Sequence, residues 1–222
     1  MSYRDILQKA IYKIINPVIK LMIRLHITPN LVTTLGFAGN LVAMWLLIVA
    51  SQKLLAEPQC AYSLIGWSGG IILFAGLFDM MDGRLARMGG MSSTFGALWD
   101  STLDRYSELV TLFGICLVFI LGGPEWFWLG VVTFAAMIGS IMVSYVRARA
   151  EGLDIECKVG LMQRPERVVV TAVVAIVTGL TANLWWLAGG MILIAVLANI
   201  TAFWRVAHCY RVLKERDGKQ KD

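Results

Sequence analysis

The run Asp79-Met80-Met81-Asp82-Gly83-Arg84-Leu85-Ala86-Arg87, followed eight residues later by Gly96-Ala97-Leu98-Trp99-Asp100-Ser101-Thr102-Leu103-Asp104-Arg105, interrupts a long apolar stretch of the chain with regularly spaced charges. An ionised side chain at the centre of a membrane helix costs about 3 kcal/mol on the more lenient scales, so carboxylates kept at that depth point to function. On a helix, Asp79 and Asp82 lie three apart and Asp100 and Asp104 four apart, so each pair shares a face. Both pairs fall near a helix end, with only a short connection at 88–92 between them. Two adjacent antiparallel helices would therefore gather all four carboxylates. Such a cluster repels itself unless a cation sits within it. Oxygen-only ligands suit hard divalent ions, and a two-metal arrangement suits a diphosphate substrate.

The surroundings identify a membrane protein. Of 222 residues, 58% are hydrophobic and 16% charged, and mean hydropathy is +0.68; soluble domains run nearer half apolar and a quarter charged. A span needs about 20 apolar residues, and six are predicted, over 30–51, 63–85, 93–121, 126–148, 166–183 and 185–207. Pro58, Gly122-Gly123-Pro124 and the segment from Gly152 to Pro165 separate several of them. The expected fold class is all-α: a polytopic membrane protein with six transmembrane helices plus an N-terminal amphipathic juxtamembrane helix. The predicted divisions are 1–27 for the juxtamembrane helix, 28–212 for the six-helix membrane domain and 213–222 for a basic tail. The N-terminus alternates charged and apolar residues and does not read as a cleavable signal.

Six spans put both termini on one side, together with the joints at 86–92 and 149–165. That side collects Arg4, Lys9, Lys13, Lys20 and Arg24, then Arg84, Arg87, Arg147, Arg149, Lys158, Arg164 and Arg167, and finally Lys214, Arg216, Lys219 and Lys221. The other side holds Lys53, with Glu57 and Glu125. The basic side is expected to be cytoplasmic, in a prokaryotic inner (cell) membrane. In 1–27, Ile6, Ala10, Ile14, Val18 and Met22 recur at helical spacing, which suits a helix in the headgroup region, broken near Pro17. Anionic lipid accounts for the net charge of +5, and no nucleic-acid partner is expected. Cys60, Cys116, Cys157 and Cys209 are scattered and read as isolated thiols.

The small residues near the carboxylates fit a phosphate site. Gly83 and Gly96 would let phosphate groups and neighbouring helices come close, and Arg84 and Arg87 supply cations for phosphate oxygens. Interhelical salt bridges, joining Asp79 or Asp82 to Arg87 and Asp104 to Arg105, are the structural alternative, and an ion-coupled transporter is the non-enzymatic one.

The spacing D-x2-D-G-x2-A-R-x8-G-x3-D-x3-D, carried by Asp79, Asp82, Gly83, Ala86, Arg87, Gly96, Asp100 and Asp104, resembles without a gap the signature of the CDP-alcohol phosphotransferase (phosphatidyltransferase) family. The resemblance extends over essentially the whole chain. It implies transfer of a phosphatidyl group from CDP-diacylglycerol to an alcohol, with release of CMP, using two Mg2+ or Mn2+ ions per site. It makes Asp79, Asp82, Asp100 and Asp104 metal ligands and Asp104 the general base. It places CDP-lipid at Asp79, Gly83 and Arg87, and at Asn30 and Thr33 in Pro29-Asn30-Leu31-Val32-Thr33. It also implies a homodimer. Gly66-x3-Gly70 and Gly69-Gly70 could serve helix packing within or between chains.

A second cluster bears on the acceptor. Ser144-Tyr145-Val146-Arg147-Ala148-Arg149-Ala150-Glu151 is followed by Gln163-Arg164-Pro165-Glu166-Arg167, and Arg205 lies near the end of the last span. Converging in one cavity, these arginines would outnumber Glu151 and Glu166 and favour a phosphorylated acceptor. The pattern resembles the branch of the family whose acceptor is an inositol monophosphate, with Gln163 where that branch often has Glu and Arg147 where it has Lys. On that likeness Ser144, Arg147, Arg149, Arg164, Arg167 and Arg205 hold the acceptor phosphate. Glycerol-3-phosphate is the rival acceptor.

Overall fold

The computed structural model describes residues 15–219, and no strand occurs among them. A helical segment over 15–24, α1, precedes six long helices. These are α2 (Pro29–Lys53), α3 (Pro58–Gly89), α4 (Thr94–Leu121), α5 (Phe127–Glu151), α6 (Arg164–Thr181) and α7 (Trp185–Lys219). A 3-10 turn, Pro124–Trp126, leads into α5. Proline occupies the first turn of α2, α3 and α6, where its fixed φ suits a helix and its missing N–H would have been unpaired anyway. All six predicted spans are therefore helices, within about five residues of their expected ends except α7, which runs on past 207 to Lys219.

The helices close into a ring, in which α2 packs on α3 and α4, α3 on α6, α6 on α7, α7 on α5, and α5 on α4. Sequence neighbours α3 and α4 are joined tightly. Gly90 adopts φ 64° and, with Met91, returns its N–H to the Ala86 carbonyl, while the Ser93 hydroxyl caps α4 by accepting from Gly96 N at 3.0 Å. Yet α3 and α4 are not a main packing pair, contrary to the sequence expectation. Both lean on α2, and the space left between them holds the carboxylates. Away from that space, Leu47, Ile65, Leu112, Ile115, Phe119, Leu187 and Met191 form the continuous apolar core.

This is an integral membrane protein. Among the described residues, four segments are long and apolar enough to cross a bilayer: α2, α3, Pro124–Glu151 and α7 up to Gly218. Large side chains such as Leu35, Trp45, Phe74, Phe134 and Phe203 face outward from the bundle, as lipid solvation requires. The other two helices fall short because of charge. Every 18-residue stretch of α4 contains Asp104, Arg105 and Glu108, and α6 contains Arg164, Glu166 and Arg167.

The juxtamembrane helix differs from its expected register. Ile15 and Ile19 are buried, and Met22 and Ile23 pack with them against Val32 and Leu85. Val18 of the predicted row is 44% exposed while Met22 of the same row packs inward, so the inward face runs through Ile15 and Ile19, beside that row, and rejoins it at Met22. The helix runs through Pro17 without a break in 15–24. The expectations for Ile6, Ala10 and Ile14 lie outside the described residues. The expected tail from 213 instead continues α7 to Lys219, and 220–222 lie outside the described residues. Arg216 donates to the carbonyls of Leu153 and Asp154, tying this extension to the loop after α5.

Glycine makes the α3–α6 contact possible. A Cβ on Gly66 would lie 3.1 Å from Gly179 Cα, and one on Gly69 would lie 2.6 Å from the Ala172 carbonyl oxygen, whereas one on Gly70 would meet nothing within 4 Å. The small-residue row is thus used within the chain at Gly66 and Gly69. Gly69→Ala is expected to destabilise the fold by about 1–3 kcal/mol, because backbone must move to admit the methyl group. Gly70→Ala should leave the thermal midpoint in detergent nearly unchanged; equal losses from both would show that the α3–α6 approach is not limiting.

Candidate active site

Three carboxylates meet where α2, α3 and α4 come together. Asp79, Asp82 and Asp100 each place an oxygen within 4.8 Å of the others. Asp82 is 3% exposed and firmly oriented. Its Oδ2 accepts from the Thr33 hydroxyl of α2 at 2.7 Å, and its Oδ1 accepts from the Gly83 N–H. Asp100 Oδ1 is buried with no hydrogen-bond partner. A buried oxygen in that condition costs roughly 1–3 kcal/mol unless something binds it. An all-carboxylate donor set with an orphaned oxygen fits a hard divalent cation such as Mg2+ or Mn2+.

Asp104 stands one turn beyond Asp100 and has a different partner. Its Oδ1 lies 2.8 Å from Arg164 Nη2, while Arg164 Nη1 reaches Asp79 Oδ1 and Oδ2 at 3.1 and 3.0 Å. Arg105, its sequence neighbour, approaches Asp104 Oδ2 only to 3.9 Å and donates instead to the Ser101 carbonyl. The close ionic partner of the cluster therefore comes from α6; of the pairs in the salt-bridge alternative, Asp104 with Arg105 is met as a long 3.9 Å contact.

Two cavities flank the carboxylates. One, of about 260 Å³, is lined by Asn30, Thr33, Asp82, Gly83, Arg87, Gly96 and Asp100, among others. Gly96 keeps it open, since a Cβ there would sit 3.1 Å from Asn30 Oδ1. The other, of about 390 Å³, runs from Asp79, Asp82 and Asp104 between α2, α3, α4 and α6 to an apolar end at Ile72, Leu73 and Leu112. Of the residues expected at CDP-lipid, Asn30, Thr33, Gly83 and Arg87 thus line one polar cavity together, while Asp79 lines the larger one. Arg84 turns away, and its Nε donates to Asn16 Oδ1 on α1 at 3.2 Å.

The arginines expected to converge on one acceptor cavity divide instead. Arg164 and Arg167 line the larger cavity; Ser144, Arg147, Arg149 and Arg205 do not. Arg147 pairs with Glu151 at 2.9 Å on the surface, and Arg149 is exposed. Arg205 is buried, donating to the carbonyls of Val159 at 2.9 Å and Val143 at 2.6 Å. Arg167 is 1% exposed and grips Glu108 with two nitrogens, Nη2 to Oε2 at 2.9 Å. Its Nη1 donates to the Met162 carbonyl. Glu166 caps its own helix by accepting from Gln163 N at 2.9 Å. Sequence reading overlooked Glu108, although it continues the i, i+4 row Asp100–Asp104–Glu108.

An all-helical membrane bundle with carboxylates fit for a divalent cation at one end, beside a small polar cavity and a larger one that runs from charged residues to an apolar end, suits a class: an enzyme joining a water-soluble group to a lipid by phosphoryl transfer. Residues 26–204 match the CDP-alcohol phosphatidyltransferase family, and the chain belongs to it. It is 34% identical to the phosphatidylinositol phosphate synthase of Cutibacterium acnes over 76% of this chain and 75% of that one. It is 36% identical to the archaetidylinositol phosphate synthase of Pyrococcus horikoshii over 84% and 86%. The crystal structure of Mycobacterium tuberculosis phosphatidylinositol phosphate synthase with CDP-DAG bound superposes with a TM-score of 0.76, at 28% identity, over 89% of this chain and 94% of that one. The same enzyme in complex with manganese and citrate gives 0.75, at 28% identity, over 87% and 88%.

Proposed function

We propose that the protein transfers a phosphatidyl group from CDP-diacylglycerol to a hydroxyl of an inositol monophosphate, yielding phosphatidylinositol phosphate and CMP. The observation that carries this reading is the meeting of Asp79, Asp82 and Asp100 within 4.8 Å at the junction of a small polar cavity and a larger one with an apolar end. The relatives support the acceptor. In this reading all six long helices cross a prokaryotic cell membrane, α4 and α6 with their charged N-terminal halves toward the cytoplasmic face, and two copies form a homodimer.

The residues divide the work as follows. The polar cavity receives the cytidine diphosphate, with Arg87 as cation and Gly83 and Gly96 leaving room for phosphate against the backbone. Asp79, Asp82 and Asp100 hold Mg2+ or Mn2+, with Asp104 completing the donor set for a second ion; bound there, the metal neutralises charge on the diphosphate oxygens. Asp104, facing the larger cavity, takes the proton from the acceptor hydroxyl. That oxygen then bonds to the lipid-side phosphorus, the phosphorus–oxygen bond to CMP breaks, and CMP leaves by the polar cavity. The acceptor phosphate is assigned to Ser144, Arg147, Arg149 and Arg205 at the cytoplasmic end, supported by the likeness to the inositol-phosphate branch and the charge of that end; Arg167, whose nitrogens are committed to Glu108 and the Met162 carbonyl, is assigned to the fold.

Purified protein with CDP-diacylglycerol should convert labelled inositol phosphate to lipid. Lipid made from glycerol-3-phosphate and not from inositol phosphate would overturn the acceptor. Chelation with EDTA should abolish CMP release, and excess Mg2+ or Mn2+ should restore it; turnover that survives chelation would exclude the metal assignment.

A further inference from the structure

We propose that Arg164 is a positioning residue for Asp104 and the resident counter-cation of the carboxylate cluster, and not a ligand of the acceptor's phosphate. The inference rests on the reaction proposed above and goes beyond it by giving Arg164, which the sequence placed on the acceptor phosphate, a different task.

The place of Arg164 is set by the start of α6. Gln163 and Glu166 form a reciprocal capping box around it, and Pro165 follows directly. From that fixed point its two terminal nitrogens reach two helices at once, Nη1 to both oxygens of Asp79 on α3 and Nη2 to Oδ1 of Asp104 on α4. Its side chain is 20% exposed and that of Asp104 15%, so water screens this contact weakly. Because α3 and α4 lean on α2 and not on each other, Arg164 ties their two carboxylates across the cavity.

This geometry limits what else the guanidinium can do. Phosphate is held best by a fork of two parallel N–H donors, and both terminal nitrogens of Arg164 are engaged by carboxylates. Nε is buried without a partner, and the N–H of Nη2 that does not face Asp104 sits on a nitrogen already bound to a carboxylate, so an incoming acceptor oxygen meets a guanidinium whose charge Asp79 and Asp104 already share. With Oδ1 of Asp104 held by Arg164 at 2.8 Å, Oδ2, which has the longer 3.9 Å contact to Arg105, is the freer oxygen to meet an acceptor hydroxyl. Arg164 also shares Asp79 with the divalent-cation site, so its charge opposes metal binding there.

The test compares Arg164→Gln and Arg164→Lys with wild type in two measurements. The first is Mn2+ binding to substrate-free protein in detergent, followed by electron paramagnetic resonance. The second is kcat and acceptor KM for CMP release at saturating Mn2+. Arg164→Gln should bind Mn2+ about 5- to 10-fold more tightly, with kcat down roughly 100-fold and acceptor KM within about 3-fold of wild type. Arg164→Lys keeps the charge but not the two-armed reach, so Mn2+ affinity should stay near wild type while kcat falls at least about 10-fold. Should Arg164→Gln not be recovered folded, the Lys variant still decides. A tenfold rise in acceptor KM with kcat preserved, in either variant, would return Arg164 to the acceptor site and overturn the proposal. Unchanged or weaker Mn2+ binding in Arg164→Gln would overturn the counter-cation role. Both measurements can be made with whichever phosphorylated alcohol proves to be the acceptor, so failure of the inositol phosphate assignment is distinguishable from failure here.

Discussion

Asp104→Asn is expected to reduce CMP release by about 10³-fold while leaving CDP-diacylglycerol binding within a few-fold of wild type. The size follows from the contribution of a positioned base, typically 10² to 10⁴ in rate. The selectivity follows from geometry, because Asp104 lines the larger cavity and is absent from the polar cavity that holds Asn30, Gly83 and Arg87. Asparagine keeps an oxygen for Arg164 to bind, so the side chain should remain in place without the ability to take a proton. Radiolabelled CMP release and equilibrium binding of the donor separate the two effects. Near wild-type turnover would place the base elsewhere, and lost donor binding would make Asp104 part of the nucleotide pocket.

Arg167→Ala should carry the largest cost in stability. Arg167 is 1% exposed, and its loss strands the buried carboxylate of Glu108, itself 8% exposed. Removing one partner of a buried ion pair costs about 3–5 kcal/mol, more than replacing the pair with apolar residues of similar volume. For a chain of this length that corresponds to a fall of roughly 10 °C in thermal midpoint. The double variant Glu108→Leu with Arg167→Met should recover most of the loss. If Arg167→Ala melts like wild type and acceptor KM rises instead, Arg167 serves the acceptor and not the fold.

The six helices were legible because a long, largely apolar run is a local property of the sequence, and four of them are also long and apolar enough to cross a bilayer. The pairing of Asp79 with Asp82 and of Asp100 with Asp104 was legible for the same reason, since helical spacing alone puts each pair on one face. The row should have been followed one turn further to Glu108. The register of α1 was harder to read. Val18 and Ile19 are both apolar, and which of them turns inward depends on Leu85 and Val32, which belong to other helices.

The arginines mark the limit most clearly. Composition places Arg147, Arg149, Arg164, Arg167 and Arg205 at one end of the bundle, where they look alike as cations. Their partners separate them: surface Glu151 for Arg147, backbone carbonyls for Arg205, buried Glu108 for Arg167, and Asp79 and Asp104 for Arg164. The Arg164–Asp79 contact spans 85 residues of sequence. It exists because Gly66, Gly69 and Gly179 let α3 and α6 approach with no side chain between them. The chain alone therefore specifies helices, carboxylate spacing and reaction class, all of which depend on near neighbours. Which cation stands against the base depends on how distant helices pack, and folding alone supplies that.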